Sequence, residues 1–104
     1  MDSKFKFTDK AENDLDEILN YISNKLCNFQ AANDLLNKIF KTIDNIIAFP
    51  LSYPLLENEY VRNRNTRKAI IDNYNLYYVI ESNIIVVLRI IYNKRDLSEL
   101  INIC

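Results

Sequence analysis

Two groups of basic and aromatic residues flank the most apolar stretch of this sequence. Arg62, Arg64, Arg67 and Lys68 lead into it, and Arg89, Tyr92, Lys94 and Arg95 close it. Cations gathered in this way suit an anionic partner, either by holding it or by stabilising charge that develops on a phosphate during a reaction. Tyr74, Tyr77 and Tyr78 lie between the groups. Their rings could stack on bases, but tyrosines on alternate faces of a half-buried strand also serve as packing residues with a wet hydroxyl tip.

Composition removes most other chemistry. The chain has no histidine and no glycine, so it has no Ser-His-Asp or Cys-His pair and no glycine loop to cradle a phosphate. No acidic cluster has metal-ligand spacing, and Cys27 and Cys104 form neither a disulfide framework nor a zinc pattern. We expect no metal and no cofactor. The N-terminus lacks an apolar signal core and no run approaches the length a membrane helix needs, so we expect a soluble protein of the reducing cytoplasm. Charge is uneven: residues 1–59 hold 6 Lys/Arg and 10 Asp/Glu, whereas residues 60–104 hold 7 and 4. The C-terminal half is therefore the one suited to an acidic partner, unless the difference reflects only solvated surface.

The elements that must position these residues are readable from periodicity. The 104 residues, 49% hydrophobic, suit one domain spanning 1–104. Phe5 and Phe7 alternate with lysines, a short strand. Thr8 is a good N-cap for a helix over 9–26, with an apolar stripe of Ala11, Leu15, Ile18, Leu19, Ile22 and Leu26. Asn28 resets the pattern, and Ala32, Leu35, Leu36, Ile39, Ile43, Ile46 and Ile47 predict a second helix over 29–48 that stops before Pro50. Residues 50–65 read as a surface connection. Strands follow at 66–71, 74–80 and 84–92, joined as two hairpins, and without glycine we expect asparagine at the left-handed turn positions.

This gives an α+β fold of order β-α-α-β-β-β, a helical hairpin on an antiparallel four-stranded sheet with the first strand beside the last. Strict alternation puts Ile85, Val87, Arg89 and Ile91 on one face. A guanidinium there requires a partner, such as a helix carboxylate from Asp14 or Glu17, because an unpaired buried charge costs on the order of several kcal/mol. The acidic run ENDLDE of the first helix otherwise reads as its solvated face. Arg95, followed by Asp96, reads as a binding or catalytic residue or as a solvated strand end.

Taken in order, several pieces resemble the RelE/ParE superfamily of bacterial toxins from type II toxin–antitoxin systems. They are the early Phe-containing strand, A-x-x-D-L-x-x-I-x-x-Y-I from Ala11 to Ile22, Ala31-Ala32, Phe49-Pro50, Arg67, the pair Tyr74 and Tyr78, and Arg89-Ile90, Tyr92 and Arg95-Asp96. The resemblance implies the two-layer fold of that superfamily and one of two activities. RelE-like members are ribosome-dependent messenger RNA endoribonucleases; ParE-like members act on DNA gyrase.

For a RelE-like site the resemblance implies Lys68, Tyr92 and Arg95 as the catalytic set. Against it stand Asn75, where those enzymes tend to carry arginine, and Leu100-Ile101 in place of their C-terminal tyrosine. The ending R-I-x-x-x-x-R-D and the first helix look more like the ParE branch. The expected function is thus a ParE-like toxin acting on DNA gyrase and neutralised by a cognate antitoxin, with the ribosome and messenger RNA as the alternative target and an inactive interaction module as a third reading. Target or antitoxin binding then falls to Arg62, Arg64, Arg67, Lys68, Tyr92, Lys94 and Arg95, and Arg89, Tyr74 and Tyr78 are structural. Assembly is expected as a homodimer or a toxin–antitoxin hetero-oligomer, away from membranes.

Overall fold

The computed structural model describes residues 4–56 and 65–93. Strand β1 (Phe5–Phe7) leads into α1 (Asp9–Asn20), α2 (Phe29–Ala48) and strands β2 (Arg67–Ile71), β3 (Tyr74–Glu81) and β4 (Ile84–Tyr92). Thr8 caps α1 by accepting from the Ala11 N–H, and Asn28 caps α2 in the same way from Ala31. Each side chain satisfies an amide that the first helical turn leaves without a partner.

The expected helix over 9–26 does not stay α-helical throughout. After Asn20 it widens into a π turn over Tyr21–Lys25, in which the Leu26 N–H donates to the Tyr21 carbonyl five residues back at 3.0 Å. The extra residue rotates the end of the stripe away from the core and leaves Leu26 55% exposed. Cys27, left-handed at φ 52°, then turns the chain into α2. Among the described residues the other left-handed positions are Asp72, Ser82 and Asn83, so asparagine fills one of the four. Ser82 and Asn83 are both left-handed, as a two-residue type I′ hairpin turn requires.

The sheet order is β1-β4-β3-β2, with β1 beside the last strand as expected. Its sense corrects the wholly antiparallel sheet read from the sequence: β1 runs parallel to β4, Phe7 opposite Val87, so the sheet is mixed. Hairpin turns force antiparallel neighbours for β2–β3 and β3–β4. The rest of the chain separates β1 from β4, and such a crossover permits the parallel sense.

Leu35, Ile39, Ile43 and Ile46 of α2 pack on Leu76, Tyr78, Val87 and Ile90, all 5% exposed or less. The opposite face of the sheet is also covered, with Tyr77 and Ile91 buried beside Leu56 and Leu88. A bulge decides which β4 residues reach which face. Tyr78 pairs with Val87 but Tyr77 with Arg89, leaving Leu88 with no opposite number. The extra residue shifts the alternation. Ile85, Val87 and Ile90 therefore share the helix side, while Ile91 lies on the other, which corrects the single face predicted for Ile85, Val87, Arg89 and Ile91.

Candidate functional site

Beyond Phe7, β1 no longer covers β4, and a groove of about 920 Å³ opens between α1 and the end of that strand. Arg89, Ile90, Ile91 and Tyr92 line it in succession, together with Lys10, Glu17, Tyr21 and Tyr74. Consecutive strand residues can border one space only if the strand presents its edge, because side chains alternate between faces. Hydrogen bonding agrees. The Asn93 N–H donates to the Asn73 carbonyl at 2.9 Å, which makes these two a bonded pair. By alternation along an antiparallel ladder, the backbone groups of Ile90 and Tyr92, opposite Leu76 and Tyr74, point away from β3 and into the groove.

Two side chains from the start of α1 stand where β1 would have continued. The Thr8 hydroxyl donates to the Leu88 carbonyl at 2.8 Å while accepting from Ala11, so the helix cap is also fastened to the strand. Asp14 Oδ2 accepts the Ile90 N–H at 3.0 Å. The same carboxylate grips Arg89 through Nε–Oδ2 at 2.7 Å and Nη2–Oδ1 at 2.9 Å. The expected ion pair between Arg89 and a helix carboxylate is thus present, with side chains only 12% and 13% exposed. It also amends the reading of ENDLDE: Glu12, Asn13, Asp16 and Glu17 are solvated, but Asp14 is withdrawn to the strand edge. Spacing could have singled Asp14 out, since it lies three residues after Ala11 and four before Ile18, on the inward side of the helix.

At the far end of the groove the rings of Tyr74 and Tyr92 meet edge-on at 5.5 Å. Burial pushes the Tyr74 phenol above its ordinary value of 10.0, and the nearby phenols of Tyr92 and Tyr21 and the Asp72 carboxylate push it the same way. The groove therefore has an apolar and aromatic wall, an open main-chain edge and charged groups from Lys10 and Glu17.

The remaining sequence-predicted residues do not gather in one place. Arg67 turns inward and donates from Nη1 to the carbonyls of Tyr53 at 2.6 Å and Leu51 at 3.3 Å. Nothing in its sequence surroundings signals this role. Tyr78 donates to the Pro50 carbonyl at 2.7 Å, and burial drives its phenol up to about 12, against the pull of the Arg67 guanidinium and with a smaller upward push from Tyr53. Lys68 pairs with Tyr77 and Tyr92 with Tyr74, so the register sets Lys68 and Tyr92 on opposite faces of the sheet. Asn75 is buried, with its amide against the Tyr77 hydroxyl at 3.3 Å. Arg62, Arg64, Lys94 and Arg95 lie outside the described residues. Among the described residues no group of three or more acidic or cysteine side chains could hold a metal, and no helix is long and apolar enough to cross a membrane.

The comparisons with known proteins agree with this architecture. A chain from the "Chromosomal ParDE TA system from P. aeruginosa" superposes with a TM-score of 0.67 at 19% identity, covering 85% of this chain and 92% of its own, a likeness of fold. No curated protein matches significantly. The family model described as the ParE toxin of the type II toxin–antitoxin system parDE matches residues 5–97. That match spans the helix N-cap, both residues of the Asp14–Arg89 pair and the whole groove, and the chain belongs to the ParE toxin family.

Proposed function

We propose that this chain is the toxin of a type II toxin–antitoxin pair, arresting growth by acting on DNA gyrase in the cytoplasm until a cognate antitoxin neutralises it. Family membership over residues 5–97 supports the general role. The observation that carries the antitoxin reading is the open edge of β4 beside an apolar wall. Asp14 holds the Ile90 N–H and Thr8 the Leu88 carbonyl, but further along the edge the Tyr92 N–H has no hydrogen-bond partner among the described residues. Such an edge suits the backbone of another chain, and a segment that folds as it binds can supply both a strand and an apolar helix face. Such a segment would carry acidic residues toward the basic group 62–68 or toward Arg89–Arg95, and the assembly would be a toxin–antitoxin hetero-oligomer.

The placement of two of the groups that a ribonuclease would use supports gyrase over the ribosome. Lys68 and Tyr92 face opposite sides of the sheet, and a buried amide occupies position 75. The groove is tested by amide hydrogen exchange with the protein encoded beside this gene. Binding should slow exchange at Tyr92, whose N–H points into the groove. A tight complex that leaves Tyr92 exchange unchanged would place the antitoxin elsewhere.

A further inference from the structure

The far end of the α1–β4 groove gathers three tyrosine rings beside a carboxylate that has no counter-ion among the described residues. Tyr74 and Tyr92 are register partners whose rings meet at 63°, two walls of a corner, and Tyr74 packs on the helix-side core. Tyr21 brings a third ring from the first residue of the π turn, where it stays 53% exposed. It stands close enough to act on the Tyr74 phenol, as Tyr92 does. The Tyr21 N–H still donates to the Glu17 carbonyl, so Glu17 lies one α-helical turn before it, on the same side of α1 and in the same groove. The ion pairs among the described residues are Lys38–Asp72 and Arg89–Asp14, and Glu17 belongs to neither. Lys25 borders a neighbouring depression with Glu17 and Tyr21 without pairing with the carboxylate. Lys10 is seven residues back along α1, two turns or roughly 10 Å away.

Resting on the reading of this groove as the antitoxin's seat, we propose that the corner formed by Tyr21, Tyr74, Tyr92 and Glu17 receives a cationic side chain, arginine or lysine, from the segment that pairs with the β4 edge. A neutral phenol ring turns a negative face to a cation, and a carboxylate beside it supplies the charge-assisted hydrogen bond. An apolar side chain would fit the rings as well, but it would cover Glu17 and take its charge from water without a partner. The corner adjoins the Tyr92 N–H. In a strand added there, a residue opposite Tyr92 with its side chain on the helix side meets the three rings. The backbone of one segment and its basic side chain are thus read at adjacent points. The partner segment accordingly carries both signs, its acidic residues directed to the basic groups and one base set at the Tyr92 end.

The test is the calorimetric affinity of the full chain for the protein encoded beside this gene, with amide exchange at Tyr92 followed in each complex. Glu17→Gln should weaken binding about tenfold, and so should Tyr21→Leu, which keeps apolar bulk but loses the ring. Tyr21→Phe keeps the ring face and should bind like the wild type. Asp16→Asn removes the same charge from the solvated side of α1 and should also leave affinity unchanged. Glu17→Lys should all but abolish binding, and replacing one arginine or lysine of the partner by glutamate should restore it. Undiminished affinity in Glu17→Gln and Tyr21→Leu, with Tyr92 exchange still slowed, rejects the cation corner and leaves the groove reading standing. Unchanged exchange at Tyr92 in the wild-type complex rejects the groove reading and this inference with it. Rescue of Glu17→Lys by Lys94→Glu or Arg95→Glu in the same chain, and by no substitution in the partner, would assign the cation to the chain itself and overturn the proposal.

Discussion

Asp14 and Arg89, 75 positions apart in sequence, are joined by two hydrogen bonds of 2.7 and 2.9 Å, and the same carboxylate accepts the Ile90 N–H. One side chain thus neutralises a guanidinium, satisfies a strand-edge amide and fixes α1 against β4. The pair is almost closed to water, so removing either partner leaves the other charged and poorly solvated.

Arg89→Ala should therefore destabilise the fold by on the order of 3 kcal/mol, and Asp14→Ala by at least as much because Ile90 also loses its acceptor. Urea unfolding of both single variants and the double variant should reveal strong coupling. Arg89→Lys should recover little, since an ammonium cannot make the two-pronged contact.

Thr8→Ala removes the α1 cap and the tie to Leu88 together, and should cost ~1–2 kcal/mol. Thr8→Ser keeps the hydroxyl and should restore most of it. Equal stabilities for the two variants in thermal unfolding would contradict the double role.

Tyr78 gives an alkaline signature. Its phenol ionises near 10.0 when unfolded and at about 12 in the fold. Between these values the unfolded chain has released a proton that the folded chain keeps, so its contribution is full below pH 10 and is lost as pH rises through 12. Tyr78→Phe should flatten that decline in stability and, by freeing the Pro50 carbonyl, lower stability at pH 8 by about 1 kcal/mol.

Arg95, at the end of the basic group, is proposed as a contact to the target. Arg95→Ala should change stability by less than about 0.5 kcal/mol, as ordinary surface substitutions do, yet relieve growth arrest. Early unfolding, or full toxicity in a stable variant, would move the target contact to another residue.

The parts of the fold legible in the sequence are those set by local signals. Asn28 and Pro50 bracket α2, and its apolar spacing gives both ends, Phe29–Ala48. The pairing of Arg89 with a helix carboxylate follows from the cost of a charge in an apolar strand, which narrows the choice to Asp14 or Glu17. Features created by tertiary packing are not legible. The bulge at Leu88 depends on where β1 ends and Asp14 begins to serve the strand edge, and no periodicity announces it. The inward turn of Arg67 likewise depends on a loop folding back over β2, so its charge reads as available when its donors are directed to Leu51 and Tyr53. The groove combines a period-two strand with a helix that changes pitch at Tyr21, and neither pattern alone contains it.

The proposed function has this ParE-family chain acting on gyrase and not on messenger RNA. Its most direct test is to add the purified protein to a gyrase supercoiling reaction and, in parallel, to translating ribosomes with a defined message. We predict dose-dependent loss of supercoiling, relieved by the antitoxin, and an intact message. Cleavage of the message on the ribosome with supercoiling unaffected would contradict the account.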